Sequence, residues 1–468
     1  GGGAAAAAAQ RAANMWRDLK MQKPDLNSDH YMRELARHFS LQYRIEKTEF
    51  RGITLSQLKR VEAFVETKCH EWGLDRHTKK AISATTANLY DVNTWLIMPS
   101  TFVENCAFVE FMAVEEQPPH WFCCHWWGEP IKNFILCIEA HLHLRQMPGS
   151  EIEWVYWVDA FANRQHSLDE ELVKDPAQRS FFKAMQLAIG VLLILDRNAT
   201  PLTRIWCIYE VYVALTSGSG SSRLLLDMAT TTDLGAHVLT DGLTDPEQKI
   251  ERRPGGVDGL RLKLHREMAF PSEVLHKGLE PSLHTVQVSM NDDDDDDRVR
   301  ILNKITGRCM DDLASTPEMN SRLAGMFAES GLSKAVMEGN LREKGFIQAL
   351  REDQQRASLI LDWTFLPSRD GDLADLAESL PEKLVELRLA SHMLPPLQRR
   401  LLGDPQMSDL GLAALARGLP ASLHVLDFTF AECSKIGDRG LAALSRRLPA
   451  GLQELHLDFR GSNSIGDG

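Results

Sequence analysis

The chain of 468 residues lacks any apolar run long enough to cross a membrane as a helix. Such a helix needs about 20 consecutive apolar residues, whereas the longest runs here, such as Ala188 to Leu195, have the length of a β-strand. The chain also lacks an initiating methionine and the basic stretch with an apolar core that marks a signal peptide. We expect a fragment of a longer reading frame, with a cytoplasmic location and no membrane partner.

Cysteines are few, and their spacing is irregular. The eight include one adjacent pair, Cys123 and Cys124, but none of the close paired spacings of a zinc module or of a small disulfide framework. His120 and His125 flank that pair, but alternate residues of a strand point to opposite faces, so these four side chains are not expected to converge on one ion. The sequence predicts reduced thiols, no metal site and no required cofactor.

Basic residues are in the minority, with 52 Lys and Arg against 65 Asp and Glu, which gives a formal net charge of -13. Nucleic acids and anionic membranes are bound by clustered Lys and Arg, so the acidic balance argues against both partners. The hydrophobic fraction of 44% and the charged fraction of 25% are typical of soluble globular proteins. At about 100 to 200 residues per domain, the length predicts two to four domains.

Helical patterns dominate residues 1–118, where Leu55 to Cys69 places most of its apolar side chains on one stripe. From residue 119, short apolar runs alternate with helical segments, which is typical of a parallel sheet buried on both faces. We therefore predict a doubly wound α/β domain over residues 119–290. Its predicted strands are Trp121–His125, Glu153–Asp159, Gly190–Asp196, Arg223–Met228 and His284–Ser289. Its predicted helices lie near 130–146, 177–189 and 203–216.

Residues 291–355 are predicted as an acidic linker and helical segment, because Asp292 to Asp297 form a run of six like charges before a helical pattern. From about 356 to 468 the chain repeats. The frame L-P-x-x-L-x-x-L-x-Φ begins at Leu380, Leu419 and Leu448, and a helical pattern lies between successive frames. Two of these frames are 29 residues apart, and the longer first spacing predicts an insertion near 391–405.

This strand-plus-helix repeat resembles the leucine-rich repeats of the ribonuclease-inhibitor subtype. The resemblance implies an α/β solenoid, cut short at the end of the chain, that binds a protein partner on its concave face.

Polar side chains gather where the predicted strands of the α/β domain end. An open parallel sheet places its functional groups at the carboxyl ends of its strands. Trp206 and Glu210 come from the helix after the third strand, and their spacing of four puts them on one helix face. The other groups expected at this edge are His125, Trp126, Trp127, Gly128, Glu129, Asp159, Phe161, Asn163 and Asp196.

The ordered set of Phe122-Cys-Cys-His-Trp-Trp-Gly-Glu129, Val158-Asp159, Phe182 to Asp196 and Arg204-Ile-Trp-Cys-Ile-Tyr-Glu210 resembles a Toll/interleukin-1 receptor (TIR) domain. It also resembles an uncharacterised group of dinoflagellate proteins. The resemblance covers roughly residues 119–230 and implies a TIR/flavodoxin-like fold that self-associates.

In TIR domains that are enzymes, the resemblance further implies a site that hydrolyses NAD. The essential glutamate of that site would here be Glu210. His125, Trp126, Gly128, Asp159 and Trp206 would surround the substrate. A carboxylate can stabilise the positive charge that develops on the ribose when the nicotinamide bond breaks.

Together these patterns predict a cytosolic signalling protein whose TIR-like domain self-associates and hydrolyses NAD. Its leucine-rich repeats are predicted to bind a protein partner. The alternative is a non-enzymatic scaffold, in which the same domain only docks and Trp206 packs on the sheet. A third reading is another nucleotide enzyme that uses the same strand-end pocket. Whether the chain is an enzyme is left open by the sequence.

Overall fold

The computed structural model forms two compact units. The first comprises Gly1–Asp196 with Trp206–Val238, and the second comprises Arg197–Ile205 with Leu239–Gly468. The residues that the structure describes are 2–75, 78–150, 152–167, 180–216, 224–251, 259–279, 317–339, 341–342, 345–364, 366–391, 407–431, 433–462 and 464–466. Three predicted features lie outside them: the strand at 284–289, the aspartate run at 292–297 and nearly all of the insertion near 391–405. The first unit continues across the predicted domain boundary at residue 118, and the second unit continues across those at residues 290 and 355.

Six strands form the sheet of the first unit: β1 Ile53–Thr54, β2 Trp121–Cys124, β3 Val155–Trp157, β4 Gly190–Leu195, β5 Leu225–Thr232 and β6 Gly235–Leu239. Along this part of the chain the helices are α1 Gly2–Gln22, α2 Ser28–His38, α3 Leu55–Lys68, α4 Leu89–Val92, α5 Met98–Thr101, α6 Ile131–Arg145, α7 Asp159–Ala162, α8 Ser180–Leu187 and α9 Ile205–Thr216. Four of the five predicted strands are therefore confirmed, and the fifth lies outside the described residues.

The strand order is β1-β3-β2-β4-β5-β6. β3, β2, β4 and β5 pair in parallel, whereas β1 is antiparallel to β3. After β2, the chain adds β3 on one side of that strand and then β4 on its other side. The direction in which successive strands are added therefore reverses between β2 and β4. Ligands of open α/β sheets bind at the carboxyl ends of the strands next to such a reversal. The predicted parallel sheet is confirmed.

Helices cover both faces of this sheet. On one face, the Trp121 ring lies 4.4 Å from the His141 ring of α6. On the other face, the Cys124 thiol donates to the carbonyl oxygen of Cys207 in α9 at 3.6 Å. All four side chains of β2 are buried, which explains why its sequence is apolar without alternation.

The N-terminal region belongs to the same core as the sheet. α3 begins with a capping box, in which the Thr54 hydroxyl accepts from the Gln57 N–H and the Gln57 carboxamide oxygen accepts from the Thr54 N–H. The helix then buries the predicted stripe at Leu58, Val61, Phe64 and Val65. Just before it, β1 adds an edge strand to the sheet, which the helical pattern of the region did not indicate.

The second unit contains a four-stranded parallel sheet in the order β10-β9-β8-β7. Its strands are β7 Ser358–Asp362, β8 Glu386–Ala390, β9 Val425–Thr429 and β10 Glu454–Asp458. Its helices are α10 Asp245–Glu251, α11 Gly259–Ala269, α12 Ser272–Leu279, α13 Pro317–Glu338, α14 Phe346–Glu352, α15 Asp370–Ser379, α16 Asp409–Gly418 and α17 Asp438–Ser445. A helix lies between successive strands, as the repeat predicts. No helix in the described part of the chain is long and apolar enough to cross a membrane.

Helices α13 and α14, which come from the predicted linker segment, share one core with these strands. Leu332 and Leu350 are buried in the same cluster as Leu359, Leu387 and Leu426. Alternate positions of β7, β8 and β9 are buried and carry leucine, except for Phe428 in β9, so these side chains all point to the face that the helices cover. The helical segment is therefore part of the second unit's core.

An aspartate at the start of a helix joins it to the next one along the array. One carboxylate oxygen of Asp370 accepts from the backbone N–H of Gly411 at 3.1 Å, and Asp409 accepts in the same way from Gly440 at 2.9 Å. A Cβ atom at Gly411 would lie 2.4 Å from that Asp370 oxygen. The repeat therefore requires glycine here, because the carboxylate approaches the backbone too closely for a side chain.

Candidate functional site

Residues 125–130, here called the β2 loop, follow β2 and are held in place by the N-terminal region. The Leu89 N–H donates to the Trp127 carbonyl at 2.9 Å, and the Ile131 N–H donates to the Ala87 carbonyl at 2.8 Å. The Tyr90 ring lies 5.6 Å from the Trp127 ring. A region whose sequence showed no chemistry thus positions the loop that carries several of the predicted site residues.

His125 and Asp159 meet at the carboxyl ends of β2 and β3, as expected. His125 Nε2 lies 3.9 Å from Asp159 Oδ1, and the His125 side chain is only 2% exposed, whereas that of Asp159 is 43% exposed. The Trp127 indole N–H is shared between both Asp159 carboxylate oxygens, at 3.0 Å from each. Trp127 therefore orients the carboxylate while leaving it accessible. The sequence placed Trp127 in this loop but gave it no role.

Trp126 and Gly128 lie against each other in the β2 loop. A Cβ atom at Gly128 would be 2.2 Å from Cζ2 of the Trp126 ring. Glycine therefore lets the partly exposed indole fold across its own loop. The Trp126 indole thus offers an aromatic surface next to Trp127, the residue that binds Asp159.

Glu129, which the sequence placed at this edge of the sheet without giving it a role, is a buried carboxyl group. Its side chain accepts from Asn133 Nδ2 at 3.0 Å. Burial, helped by the nearby charge of Asp196 at the end of β4, raises the pKa of Glu129 to about 7. A carboxyl group that titrates near neutrality can act as an acid or a base, and such groups are common in functional sites. The signal in the sequence was its position directly after a strand.

Replacing Glu129 with glutamine should stabilise the protein at pH 8 by about 1 to 3 kcal/mol. Because burial raises the pKa of this group in the folded state, the folding stability that it supports is present below about pH 4.5 and is lost as the pH rises through about 7. Glutamine resembles the protonated acid and still accepts from Asn133, so the benefit should vanish at pH 4. Thermal unfolding of both proteins at pH 4 and pH 8 tests this. An equal difference at both pH values would contradict it.

Glu210 lies beside the last residue of β2 and is partly exposed. One of its carboxylate oxygens and the sulfur atoms of Cys124 and Cys207 all lie within 4.8 Å of one another. The Cys207 thiol also donates to the His125 carbonyl oxygen at 3.5 Å. The catalytic candidate is thereby placed next to the start of the β2 loop.

Trp206 differs from the expectation that it packs on the sheet as a core residue. It is only partly buried, and its ring contacts Phe181 of α8 edge to face at 5.6 Å. The fully buried positions of α9, such as Ile208 and Val211, lie on the other side of the helix. The spacing of four residues between Trp206 and Glu210 indicates that they share a helix face. It does not indicate which face of α9 packs on the sheet.

Family models, curated proteins and solved structures were all compared with the chain. None of them matches it.

A second polar cluster is buried in the first unit and was not found from the sequence. Asp227 of β5 accepts hydrogen bonds from both Nε and Nη2 of Arg145, at 2.7 Å each. Its Oδ2 also lies 3.0 Å from His141 Nε2. His141 Nδ1 lies 3.0 Å from the hydroxyl of Tyr156 in β3. His141 and Arg145 are four residues apart on α6, and Asp227 interrupts an apolar run. Those two signals together could have indicated the cluster.

Burial lowers the pKa of His141, so the ring is neutral. Since Asp227 only accepts, we assign the ring proton to Nε2 and let Nδ1 accept from the Tyr156 hydroxyl. The cluster thus forms a chain of satisfied hydrogen bonds that joins β3, α6 and β5. It holds the helix that follows the β2 loop firmly against the sheet.

Proposed function

We propose that the first unit is a TIR-like domain that binds NAD at the carboxyl edge of its sheet and hydrolyses the bond between nicotinamide and ribose. The observation that carries the proposal is the position of Glu210, partly exposed and beside Cys124 at the end of β2. That strand borders the reversal of the sheet, where ligands of open α/β sheets bind. The strand order and the polar β2 loop support the same assignment.

Glu210 would act as the catalytic carboxylate. As the bond between the ribose carbon and the nicotinamide nitrogen breaks, its electron pair leaves with the nitrogen and neutralises the pyridinium ring. Positive charge then develops on the ribose, and a nearby carboxylate stabilises it. Water adds to the ribose carbon and loses a proton to the solvent, giving nicotinamide and ADP-ribose.

The β2 loop would bind the rest of the substrate. Asp159 is oriented by Trp127 and remains 43% exposed, so it can accept a hydrogen bond from a ribose hydroxyl. The partly exposed Trp126 offers a surface on which a base can stack. His125 supports Asp159 from the buried side, and Gly128 leaves room for the indole.

For the second unit we propose a leucine-rich-repeat array that binds a protein partner. The observation that favours it is the sheet face opposite the helices, where Arg388 of β8 and Glu454 and His456 of β10 are exposed. Exposed side chains along parallel strands of such an array form a surface that can bind a protein.

Self-association of the first unit is part of the proposal for its TIR-like domain.

The decisive experiment incubates the full 468-residue chain with NAD at high protein concentration and measures released nicotinamide. Replacing Glu210 with glutamine should lower the rate at least about 100-fold, as is typical when a group that stabilises transition-state charge is removed. Glu116→Gln is the matched control, because this exposed carboxylate precedes β2 at the opposite end of the strand. Equal rates for Glu210→Gln and Glu116→Gln, or no nicotinamide from the unaltered chain, would favour the non-enzymatic scaffold.

A further inference from the structure

Cys124, Cys207 and Glu210 form a compact set of potential metal ligands. Cys124 ends β2, while Cys207 and Glu210 are three residues apart on α9 and therefore share a helix face. The two sulfur atoms and one carboxylate oxygen lie within 4.8 Å of one another. Both cysteines are buried, and Glu210 reaches towards solvent.

We propose that these three residues form a site for a thiophilic divalent cation of the zinc class. Zinc binds thiolate sulfur at about 2.3 Å, so two thiolates of a tetrahedral site stand about 3.8 Å apart. Ligand atoms that are already within 4.8 Å need to move by only about 1 Å to reach that geometry. Two sulfur ligands select zinc over magnesium and calcium, which prefer oxygen.

The fourth position of such a site would be open to water. Three protein ligands plus one water are typical of zinc sites that exchange ligands, whereas closed structural sites use four protein ligands. Glu210 is the partly exposed member of the set, so solvent can reach the ion from its side. The two buried sulfur atoms would bind the ion on the side away from solvent.

Both thiols must lose their protons when the ion binds. Burial raises the pKa of Cys124 well above its usual range, and Cys207 and Glu210 raise it further. The Cys124 thiol donates to the Cys207 carbonyl at 3.6 Å, and the Cys207 thiol donates to the His125 carbonyl at 3.5 Å, which are weak hydrogen bonds. Each bound ion would therefore release two protons, and its affinity would rise with pH.

Cys123 and Cys137 are not members of this set, although both are buried. Cys123 points to the face of the sheet that α6 covers, opposite to Cys124. Cys137 lies on α6 itself. The proposed site therefore depends on the fold that brings α9 against the end of β2, and not on the adjacent cysteine pair in the sequence.

The test titrates the metal-free, fully reduced full chain with Zn²⁺ in competition with a chromogenic chelator, in the absence of NAD. We expect one equivalent per chain. Cys124→Ala and Cys207→Ala should each weaken binding about 100-fold or more, since even a residue behind a ligand is worth 10- to 100-fold. Cys137→Ala is the matched buried control and should bind as the unaltered chain does. No bound zinc in the unaltered chain, or unchanged binding in both ligand variants, would overturn the site.

A second readout guards against variants that simply fail to fold. Co²⁺ in place of zinc should give a thiolate-to-cobalt absorption band that is weaker in Cys207→Ala, which keeps only one thiolate of the set, and is retained at full intensity in Glu210→Gln, whose affinity should still fall. Because Glu210 is partly exposed, its replacement should leave the fold intact. A Co²⁺ spectrum without the thiolate band would overturn the proposal even if zinc is bound.

Zinc at this site would also occupy the proposed catalytic carboxylate. This consequence rests on the proposed NAD hydrolysis, and it predicts that saturating Zn²⁺ inhibits nicotinamide release by the unaltered chain but not by Cys207→Ala. The metal titration does not use NAD, so absence of hydrolysis would leave its outcome unaffected.

Discussion

Replacing Asp227 with asparagine is expected to lower the free energy of unfolding of the first unit by about 3 to 5 kcal/mol at pH 7. Asp227 is fully buried and accepts two hydrogen bonds from Arg145, at 2.7 Å each. Asparagine would leave the guanidinium buried without a counter-charge, and it would also place an amide donor against either Arg145 or His141. Breaking a buried pair in this way is among the largest effects of a single substitution.

Native-state hydrogen exchange of α6 and β5 measures this loss directly. Amide protection there should fall about 100- to 1000-fold or more, which corresponds to the expected change in free energy. Asp233→Asn is the matched control, because Asp233 is exposed in the turn after β5. A loss below about 1 kcal/mol for Asp227→Asn would mean that the cluster does not stabilise the unit.

The loss should also depend on pH. Burial alone would raise the pKa of Asp227, but Arg145 and His141 more than offset it and lower the pKa to about 2. For a carboxyl group with a lowered pKa, the stabilisation is present above about pH 4 and disappears as the pH falls towards 2. The difference between the two proteins should therefore shrink in that window.

The elements of the first unit follow from local patterns, and so the sequence predicts most of them. β2 and β4 are continuous apolar runs, and the observed strands end within one residue of the predicted ends. β1 has only two residues and is defined by its pairing with β3, so no local pattern could reveal it. The same limit applies to α13 and α14, because their membership of the second unit's core depends on contacts far along the chain.

The candidate site was predictable only in part. The rule that functional groups lie at strand ends placed His125 near Asp159, and their separation of 3.9 Å agrees with it. The role of Trp127 depends on residues 87–92, which hold the β2 loop from a distant part of the chain. The set of Cys124, Cys207 and Glu210 likewise joins a strand to a helix more than 80 residues later. Sequence spacing identifies neighbours on one helix, but tertiary packing decides what faces them.

A second buried charge network, in the second unit, should respond as strongly as Asp227. Lys263 of α11 binds Glu267 on the same helix, and its Nζ lies 3.6 Å from a carboxylate oxygen of Glu329 in α13. Glu329 in turn binds Arg356, whose other nitrogen lies 3.0 Å from Asp353. The network joins two helices to the segment that precedes β7.

Replacing Lys263 with methionine is expected to cost about 3 to 5 kcal/mol at pH 8, because Glu267 loses the cation that offsets its burial. Burial already raises the pKa of Glu267 even with Lys263 present. Without the lysine, the pKa should rise further, so the stability of the variant is retained at low pH and lost as the pH rises through the new pKa. Hydrogen exchange of α11 and α13 at pH 5 and pH 8 measures the effect. Lys383→Met, at an exposed turn, is the control.

The double variant Lys263→Met with Glu267→Met separates charge from packing. Removing both members of the pair leaves no isolated charge, and such replacements by apolar residues of similar size are often neutral or stabilising. Glu329 keeps Arg356 as its partner. We therefore expect the double variant to recover most of what Lys263→Met loses. If it were as unstable as the single variant, the lost stability would come from packing around the lysine stem, and the network would not be held by charge.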